Sequence, residues 1–447
     1  LSNNAQYRDA VKIKEAGFDY VRLSHYPHSP AFLDACDEMG LITINPILGW
    51  QYYNPDPAFS EYIFKAARDL IRRDRNHPSV LAWELSLNES FMPEAFIDTL
   101  IQIAREEYPL EQCYTAGWVE YGYDIYLQAR QHRIGHDAHY PDKPYVVSEY
   151  GDWEYYAMNA GLEQDQWNNL MPEQRSSRQL IGEHDAQLQQ QALNIQEAHN
   201  DNYDTPAFAD GYWVMFDYNR GYADDLEASG VMSIFRQPKF SYYFFRSQRD
   251  ADEEIMGKPV GPMVYIASRL MEETPGSIKV FSNCEEVELF WNGKSIGRQK
   301  PDTDRNAVNL PHPPFTFTVP DVPAEEVIAI GILGGEERTR QILRKPGPAA
   351  RIILSVDSSG KALEAGCYDV VFIHAEVVDE EGSLVTGYKE DISFSVTGAG
   401  DILGNQTIKP DAGLAVILLQ ADNKEGELII EAASGSLAGG RLTLEIL

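Results

Sequence analysis

The pattern of apolar and polar residues changes character near residue 250. Before that point, short apolar runs rich in β-branched residues alternate with amphipathic segments of helical period, the rhythm of parallel strands joined by crossover helices. Strands are predicted at 19–25, 41–47, 79–86, 113–118, 123–128, 145–148 and 211–217, and helices at 7–16, 29–38, 59–73, 94–107 and 173–200. Over residues 1–250, this rhythm predicts a (β/α)8 TIM barrel.

The predicted barrel is one strand short. Seven strand runs are present, and the first helix has no strand ahead of it. Since an incomplete barrel would expose a long unpaired edge, the first strand is expected upstream of residue 1. The chain opens on Leu-Ser-Asn-Asn, without Met or a signal peptide, which agrees with that expectation.

The second half of the chain has the pattern of β-sandwiches. An acidic linker is predicted at 250–258, and short alternating strands with turn signals such as Asn292-Gly293 follow it. A second boundary is predicted at Pro346-Gly347-Pro348. The predicted fold class is therefore multidomain, with the TIM barrel followed by two immunoglobulin-like β-sandwich domains at 259–345 and 346–447.

Two glutamates stand where an α/β barrel keeps its chemistry. Glu89 follows the apolar run that begins at Ser79, and Glu149 follows the run that begins at Pro144. The carboxyl ends of barrel strands carry the catalytic residues. Two carboxylates on different strands are the equipment for glycoside hydrolysis, one as acid/base and one as nucleophile.

Charge and composition narrow the possible partners. The formal charge is −32, from 69 acidic and 37 basic residues, which argues against nucleic acid and anionic membrane surfaces. No uninterrupted apolar stretch approaches the ~20 residues that span a bilayer. The 25 Tyr and 7 Trp supply rings that can stack on sugars, although most aromatic residues belong to cores.

Several segments together resemble glycoside hydrolase family 2, the family of β-galactosidases, β-glucuronidases and β-mannosidases. The matching segments are 21–30 (Val-Arg-Leu-Ser-His-Tyr-Pro-His-Ser-Pro), 32–41, 76–80 (Asn-His-Pro-Ser-Val), 88–89 (Asn-Glu) and 148–151 (Ser-Glu-Tyr-Gly). The run 280–297 is similar to the immunoglobulin-like module that often follows such barrels. In the family a jelly roll and another sandwich precede the barrel, so upstream domains of the same protein are expected.

The resemblance implies that Glu89 is the general acid/base and Glu149 the nucleophile of a retaining mechanism. Such a mechanism places the two carboxyls about 5–5.5 Å apart. Asn88 is positioned to donate a hydrogen bond to the sugar 2-hydroxyl, and Tyr150 to orient Glu149. His25 is implied as a contact for the sugar or the nucleophile, against the alternative of a histidine satisfied by backbone.

Other candidates rest on position along the chain. Trp213 ends the last predicted strand, where a stacking platform for the sugar is expected, although a core tryptophan is the alternative. Trp50 is expected in an outer subsite with Tyr52 and Tyr53, or in loop packing. His136 is expected to line an acceptor site. Its neighbours His132 and His139 invite a zinc interpretation, but no carboxylate or Cys completes a ligand set.

Two departures from the family pattern bear on the site. Trp83 is followed by Glu84-Leu-Ser-Leu before Asn88, one residue more than the family's Trp-Ser-Leu-Gly-Asn-Glu. A bulge near the strand end is expected to absorb the extra residue, and alternation leaves open an inward position for Glu84. Ile44-Asn45-Pro46 stands where the family commonly ends in a carboxylate, so no metal ligand or cofactor is assigned. A structural cation is left open, with the acidic loop 224–227 as one place for it or a solvated turn.

The sequence favours a β-galactoside as substrate, cleaved in exo fashion. Family β-glucuronidases read the uronate with an Asn-x-Lys motif in the barrel, and the one such motif here, Asn292-Gly-Lys294, lies in the sandwich region. A β-glucuronidase or β-mannosidase of the same family is the alternative. So are a non-catalytic carbohydrate-binding protein on an inactive barrel and sandwiches that act as adhesion modules. A secreted or periplasmic location and a homo-oligomer are further expectations.

Overall fold

The computed structural model describes residues 2–109, 114–117, 119–129, 140–150, 180–182, 185–219, 226–270 and 276–447. Within them, the first half of the chain forms a seven-stranded parallel sheet whose order follows the chain. Its strands are β1 (Tyr20–Arg22), β2 (Ile42–Pro46), β3 (Val80–Glu84), β4 (Tyr114–Gly117), β5 (Ile125–Ala129), β6 (Tyr145–Tyr150) and β7 (Ala209–Tyr212). The sheet curls so that β7 lies against β1. Their closeness is shown by Gly211 of β7, where a β-carbon would stand 3.5 Å from the ring of Tyr20 in β1.

Helices connect the strands on the outside of the sheet. Those in the described ranges are α1 (Asn3–Glu15), α2 (Pro30–Met39), α3 (Pro57–Asp74), α4 (Glu94–Glu107), α5 (Asp185–Tyr203) and α6 (Phe240–Ser247). The sequence sets the ends of α2: the Ser29 hydroxyl accepts from the Ala31 amide, Pro30 opens the helix, and Gly40 closes it with φ 66°. None of the described helices combines the length and apolar character needed to cross a membrane.

The interior of the curled sheet changes from apolar to polar along the strands. Buried apolar side chains fill the part of the interior that comes before Arg22, Glu84 and Glu149 along their strands. They are Ile44, Ala82, Ile125, Leu127 and Val146, with Tyr20 and Ala209 packed against them. Because side chains alternate along a strand, Arg22 continues the inward face of Tyr20 and Glu84 that of Ala82. A charged layer therefore lies on the apolar one, at the carboxyl ends of the strands.

Small antiparallel pairs follow β7 in the described residues, one before α6 and one after it. They are β8 (Tyr218–Asn219) with β9 (Leu226–Glu227), and β10 (Glu254–Ile255) with β11 (Lys258–Pro259). The second pair forms a short hairpin in the predicted linker 250–258. Met256 and Gly257 take φ values of 53° and 72°, which is the backbone of a two-residue hairpin turn.

The rest of the chain forms two pairs of antiparallel sheets. The first pair comprises β12 (Val264–Ile266), β13 (Ser277–Ser282), β14 (Glu286–Trp291), β15 (Lys294–Gln299), β16 (Phe315–Thr318), β17 (Glu326–Leu333) and β18 (Glu336–Arg344). The second comprises β19 (Arg351–Val356), β20 (Val370–Val378), β21 (Ile392–Gly398), β22 (Gly400–Leu403), β23 (Thr407–Ile408), β24 (Leu414–Ala421), β25 (Gly426–Ala433) and β26 (Gly440–Ile446). Each pair encloses its own apolar core, as sandwiches do.

Both sheet pairs contact the barrel through specific side chains. Tyr243 of α6 stacks on Tyr265 of β12, with ring centroids 3.6 Å apart. Arg8 of α1 forms an ion pair with Asp369, just before β20, and both side chains are almost fully buried. Asp369 also accepts from Ser2 and Asn4.

The predicted elements agree with the observed ones in type and differ at their ends. Helix α1 begins at Asn3 rather than residue 7, and the last barrel strand, predicted at 211–217, is the short β7. Of the long helix predicted at 173–200, the described residues 180–182 are not helical, and the helix α5 is described from Asp185.

Candidate active site

Arg22 is the centre of the charged layer. Its Nε donates to Oε2 of Glu84 at 2.8 Å and its Nη2 to Oε1 of Glu84 at 2.6 Å. Its Nη1 donates to Oε1 of Glu149 at 2.6 Å, and Nη2 also reaches Oδ1 of Asn88 at 3.1 Å. Burial alone would lower the pKa of Arg22, but Glu84 and Glu149 outweigh it and raise the pKa. The guanidinium therefore stays charged and joins three strands.

The segment after β3 brings Asn88 to the cluster of Arg22, Glu84 and Glu149, and Glu89 follows Asn88 directly. The strand stops at Glu84, and residues 85–87 are buried and irregular, with a bend at Ser86. The described pairings show no bulge at the end of β3, where one was expected, and the extra residue falls in this irregular stretch. A register shift against β2 does occur, but earlier, between Val80 and Ala82.

A loop after β2 fixes the segment that carries Glu89. The Asn88 amide donates to the Gly49 carbonyl at 3.2 Å, and the Gln51 amide to the Asn88 carbonyl at 2.7 Å. The Gln51 side chain donates to Oε2 of Glu89 at 2.6 Å. Gln51 and Glu89 have φ values of 56° and 51°, which non-glycine residues rarely adopt. Strained backbone of this kind clusters at functional sites.

A bulge in β6 aims Glu149 into the barrel. Against β5, Gln128 and Ala129 pair with Val147 and Glu149, so Ser148 is an extra residue, and the pairing with β7 shifts at the same place. Val146 faces inward, and the extra residue gives Glu149 the same direction. The side chain of Glu149 is only 7% exposed.

The same bulge turns Tyr150 away from the site. Its hydroxyl lies 3.0 Å from Nδ1 of His199 in α5, and that nitrogen lies 2.7 Å from Oδ2 of Asp210. Burial raises the pKa of Tyr150 well above its usual value, and Asp210 adds to the effect. The prediction that Tyr150 orients Glu149 is therefore not supported by its contacts, which belong to the outer helix layer.

His25 and Trp213 form one wall of the cluster. Their rings stack with centroids 5.2 Å apart and an interplanar angle of 9°. Nε2 of His25 lies 3.7 Å from Oε1 of Glu149 and 3.4 Å from Nδ2 of Asn88. Burial and the nearby charge of Arg22 lower the pKa of His25 to about 2. His25 is thus a neutral ring beside the Glu149 carboxylate.

The remaining candidates are placed differently. Trp50 is half exposed and bridges Asn88 through the backbone, so it lies beside the Glu89 segment. His136, with His132 and His139, lies outside the described residues, as do Asp224 and Asp225 of the acidic loop.

One acidic group with a histidine lies away from the cluster. Asp37 of α2 accepts from the Ser79 amide at 2.9 Å and lies 2.7 Å from His77, with Asp34 close by. These contacts tie α2 to the start of β3, the end opposite Glu84. We therefore interpret Asp34, Asp37 and His77 as a structural contact between a helix and a strand.

Sequence reasoning missed Arg22 and Gln51 as site residues and left Glu84 open. Arg22 lies within the segment 21–30, two residues after Tyr20 in a short apolar strand. That spacing, which puts both side chains on one face of the strand, was the signal that could have identified Arg22. A charged residue on the inward face of a barrel strand requires a partner. Gln51 carries no such signal, because its contact with Glu89 depends on how two loops meet.

Comparisons with known proteins agree with this arrangement. The model of the glycosyl hydrolases family 2 TIM barrel domain matches residues 1–211, and that of the glycoside hydrolase family 2 C-terminal domain 5 matches residues 354–443. A domain of unknown function matches 273–338. The two family 2 models together cover more than half of the chain.

A relative of higher identity points to the same family, and a solved structure shows the same fold. The chain is 32% identical, over 98% of its length, to a β-galactosidase of Thermoanaerobacter pseudethanolicus. It is 22% identical over its whole length to a putative β-glucuronidase of Formosa agariphila. It spans 58% of the length of each of these proteins. A β-glycosidase structure from Bacteroides vulgatus shares its fold, with a TM-score of 0.79, 22% identity and coverage of 100% of this chain and 62% of that one. The chain belongs to glycoside hydrolase family 2.

Proposed function

We propose that this chain carries the active site of a retaining β-glycosidase, with Glu149 as nucleophile and Glu89 as acid/base. The observation that carries the proposal is the Arg22 guanidinium, which joins Glu149 on β6 to Asn88 beside Glu89 on the β3 segment. The nucleophile has to be ionised when it attacks. A charged arginine 2.6 Å away favours that form.

The proposed reaction has two displacements. The Glu149 carboxylate bonds to the anomeric carbon as the bond to the leaving oxygen breaks, and Glu89 gives its proton to that oxygen. Water then gives a proton to Glu89, and its oxygen bonds to the anomeric carbon as the ester to Glu149 breaks. Both carboxyl groups return to their starting states, and the sugar keeps its anomeric configuration. The side chain of Gln51 holds Glu89 for both proton transfers.

The surroundings of the reacting carbon fit a sugar. Asn88 is placed to donate to the 2-hydroxyl, where contacts strengthen in the transition state. The stacked pair of His25 and Trp213 offers an apolar wall. Trp50, half exposed beside the Glu89 segment, is placed to contact the leaving group.

A neutral β-galactoside is the proposed substrate, cleaved in exo fashion. Arg22 already pairs with two carboxylates, so a uronate carboxylate entering this cluster would meet excess negative charge. Lys294 of the one Asn-x-Lys motif begins β15, directly after the turn in which Asn292 and Gly293 have φ values of 50° and 76°. A β-galactosidase is also among the relatives.

A β-glucuronidase is the second candidate, favoured by the relatives that carry that name. A β-mannosidase of the same family is the further alternative. We also infer that the two sheet pairs after the barrel are immunoglobulin-like modules that accompany the active site.

An aryl glycoside panel tests the proposal. The chain, with the β-D-galactoside, β-D-glucuronide and β-D-mannoside of 4-nitrophenol, is expected to release nitrophenol fastest from the galactoside. Glu149→Gln removes the nucleophile and is expected to lower kcat by about 10⁴-fold or more. Proton NMR of the first product is expected to show the β-anomer.

Three results would count against parts of the proposal. An α-anomer as first product contradicts retention. Faster turnover of the glucuronide reverses the choice of sugar. Tight binding of oligosaccharides, with no turnover of any glycoside, favours a non-catalytic carbohydrate-binding protein.

A further inference from the structure

We propose that Glu84 is a positioning residue that sets the orientation of Arg22 and, through it, the reactivity of Glu149. The inference rests on the proposed retaining mechanism. It concerns Glu84 as a third carboxylate, which takes no chemical step in that mechanism. Glu84 lies in the segment that is one residue longer than the family pattern.

Glu84 fixes the guanidinium by a two-point contact. Its two oxygens accept from Nε at 2.8 Å and Nη2 at 2.6 Å, the fork geometry of arginine with carboxylate. The side chains of Arg22 and Glu84 are 5% and 2% exposed. With this edge occupied, Glu149 receives a bond from Nη1. Rotation of the guanidinium would break the contacts with both carboxylates.

The arrangement matters for the nucleophile. An arginine facing one carboxylate can engage both of its oxygens and lower its pKa strongly, which favours the anion but weakens it as a nucleophile. Here Glu84 occupies the Nε/Nη2 edge, and Nη2 also donates to Asn88, so the bond from Arg22 to Glu149 comes from Nη1. Arg22 therefore holds Glu149 in place and stabilises its anion less strongly than a fork would.

Charge gives a second effect in the same direction. Arg22, Glu84 and Glu149, when ionised, sum to one negative charge, whereas Arg22 and Glu149 alone would be neutral. The buried negative charge of Glu84 favours protonation of Glu149, which Arg22 holds beside it. It thereby moves the acid limb of the pH profile upward.

In the part of the chain that the structure describes, other titratable groups near the cluster do not replace Glu84. On β1, burial raises the pKa of Tyr20, so its hydroxyl stays neutral. After β1, His25 is neutral because burial and Arg22 lower its pKa to about 2. On β7, Asp210 pairs with His199 of the helix layer. Glu89, at the end of the β3 segment, is the acid/base itself.

The test compares Glu84→Gln with Glu84→Asp. Glutamine keeps the size of the side chain and removes its charge, and aspartate keeps the charge and shortens the reach. In Glu84→Gln, the acid limb of the pH profile of kcat/KM, which Glu149 sets, is expected to move to lower pH by on the order of one pH unit. The maximal kcat/KM is expected to fall by about 10- to 100-fold. In Glu84→Asp, the acid limb is expected to stay near its wild-type position, while kcat/KM falls.

The matched control is Glu61→Gln. It makes the same chemical change at an exposed position of α3 and is expected to leave the profile unchanged. A role of Glu84 in folding alone would lower the amount of active protein without moving the acid limb. Glu84→Gln with the acid limb at its wild-type position therefore overturns the inference. If Glu84→Gln fails to fold, Glu84→Asp decides, because wild-type kcat/KM in that variant also overturns it.

A label separates this inference from the proposed function. A 2-deoxy-2-fluoro-β-galactosyl fluoride is expected to leave a fluorosugar ester on Glu149 of the wild-type chain, detected by mass spectrometry of peptides. The absence of both labelling and turnover in the wild-type chain would refute the proposed function. Labelling with an unshifted acid limb in Glu84→Gln would refute only the role of Glu84.

Discussion

Burial of His25 against Trp213 decides which protonation state the ring keeps. The ring is stacked and lies beside the Arg22 guanidinium, so added positive charge is unfavourable and the pKa falls to about 2. Because the ring is neutral, the positive charge that pairs with the Glu149 carboxylate comes from Arg22 and not from His25. The acid limb of the pH profile is then set by carboxyl groups and not by His25.

The lowered pKa of His25 has a consequence for stability. Between the ordinary histidine value of 6.5 and the folded value of about 2, the unfolded chain binds a proton that the folded chain refuses. His25 therefore makes the free energy of unfolding fall as pH drops below 6.5, by about 1.4 kcal/mol per pH unit. Above pH 6.5 the ring is neutral in both the folded and the unfolded chain, so this loss of stability is absent there.

His25→Gln tests this sign, because glutamine does not titrate. Urea unfolding, followed by tryptophan fluorescence between pH 7 and pH 4.5, is expected to show a shallower loss of stability for the variant. The difference between the two slopes is the readout, since the variant's stability at pH 7 can differ for other reasons. Parallel slopes would show that His25 does not resist protonation.

At the scale of elements, the loop after β2 positions the acid/base segment. A β-carbon on Gly49, whose φ is 142°, would stand 2.3 Å from Cδ2 of Leu87. Only glycine lets this loop approach closely enough for Gln51 to bond Asn88 and Glu89. Gly49→Ala is expected to push the loop away and to loosen Glu89.

Leaving groups reveal that effect. A poor leaving group depends on protonation by Glu89, whereas a nitrophenolate leaves with little help. Gly49→Ala is therefore expected to lower kcat/KM for an alkyl galactoside about 10-fold more than for the 4-nitrophenyl galactoside. Gly40→Ala is the control, because Gly40 also has positive φ but has open space around it. Equal losses on both substrates in Gly49→Ala would contradict a role for the loop in acid catalysis.

Local patterns predicted part of this architecture. Glu89 and Glu149 follow apolar strand runs and stand in specific motifs, so their positions were visible in the sequence. The bulge at Ser148 was not, because it depends on the register of β6 against both neighbours. Without it, alternation cannot show that Glu149 points inward and Tyr150 outward. The role of Arg22 was hidden for a similar reason, since its partners come from other strands.

At the scale of the whole molecule, a buried ion pair fastens the second sheet pair to the barrel. Arg8 donates to both oxygens of Asp369 and to the backbone carbonyls of Lys361, Ala362 and Val370. Burial would raise the pKa of Asp369, but hydrogen bonds from Arg8, Asn4 and Ser2 outweigh it and lower the pKa. The stability from this pair is present above the ordinary aspartate value of 3.8 and is lost as pH falls below it.

Asp369→Asn tests how firmly the pair joins the two parts. The substitution keeps the shape and leaves the Arg8 charge buried without its partner, which costs about 3–5 kcal/mol in such sites. A lower Tm by calorimetry and faster proteolytic release of residues 346–447 are expected. Asp401→Asn, at an exposed position of β22, is the matched control. Equal behaviour of the two variants would show that other contacts hold the sheet pair in place. Since Asp369 lies outside the catalytic cluster, galactoside turnover by Asp369→Asn below its Tm is expected to match the wild type.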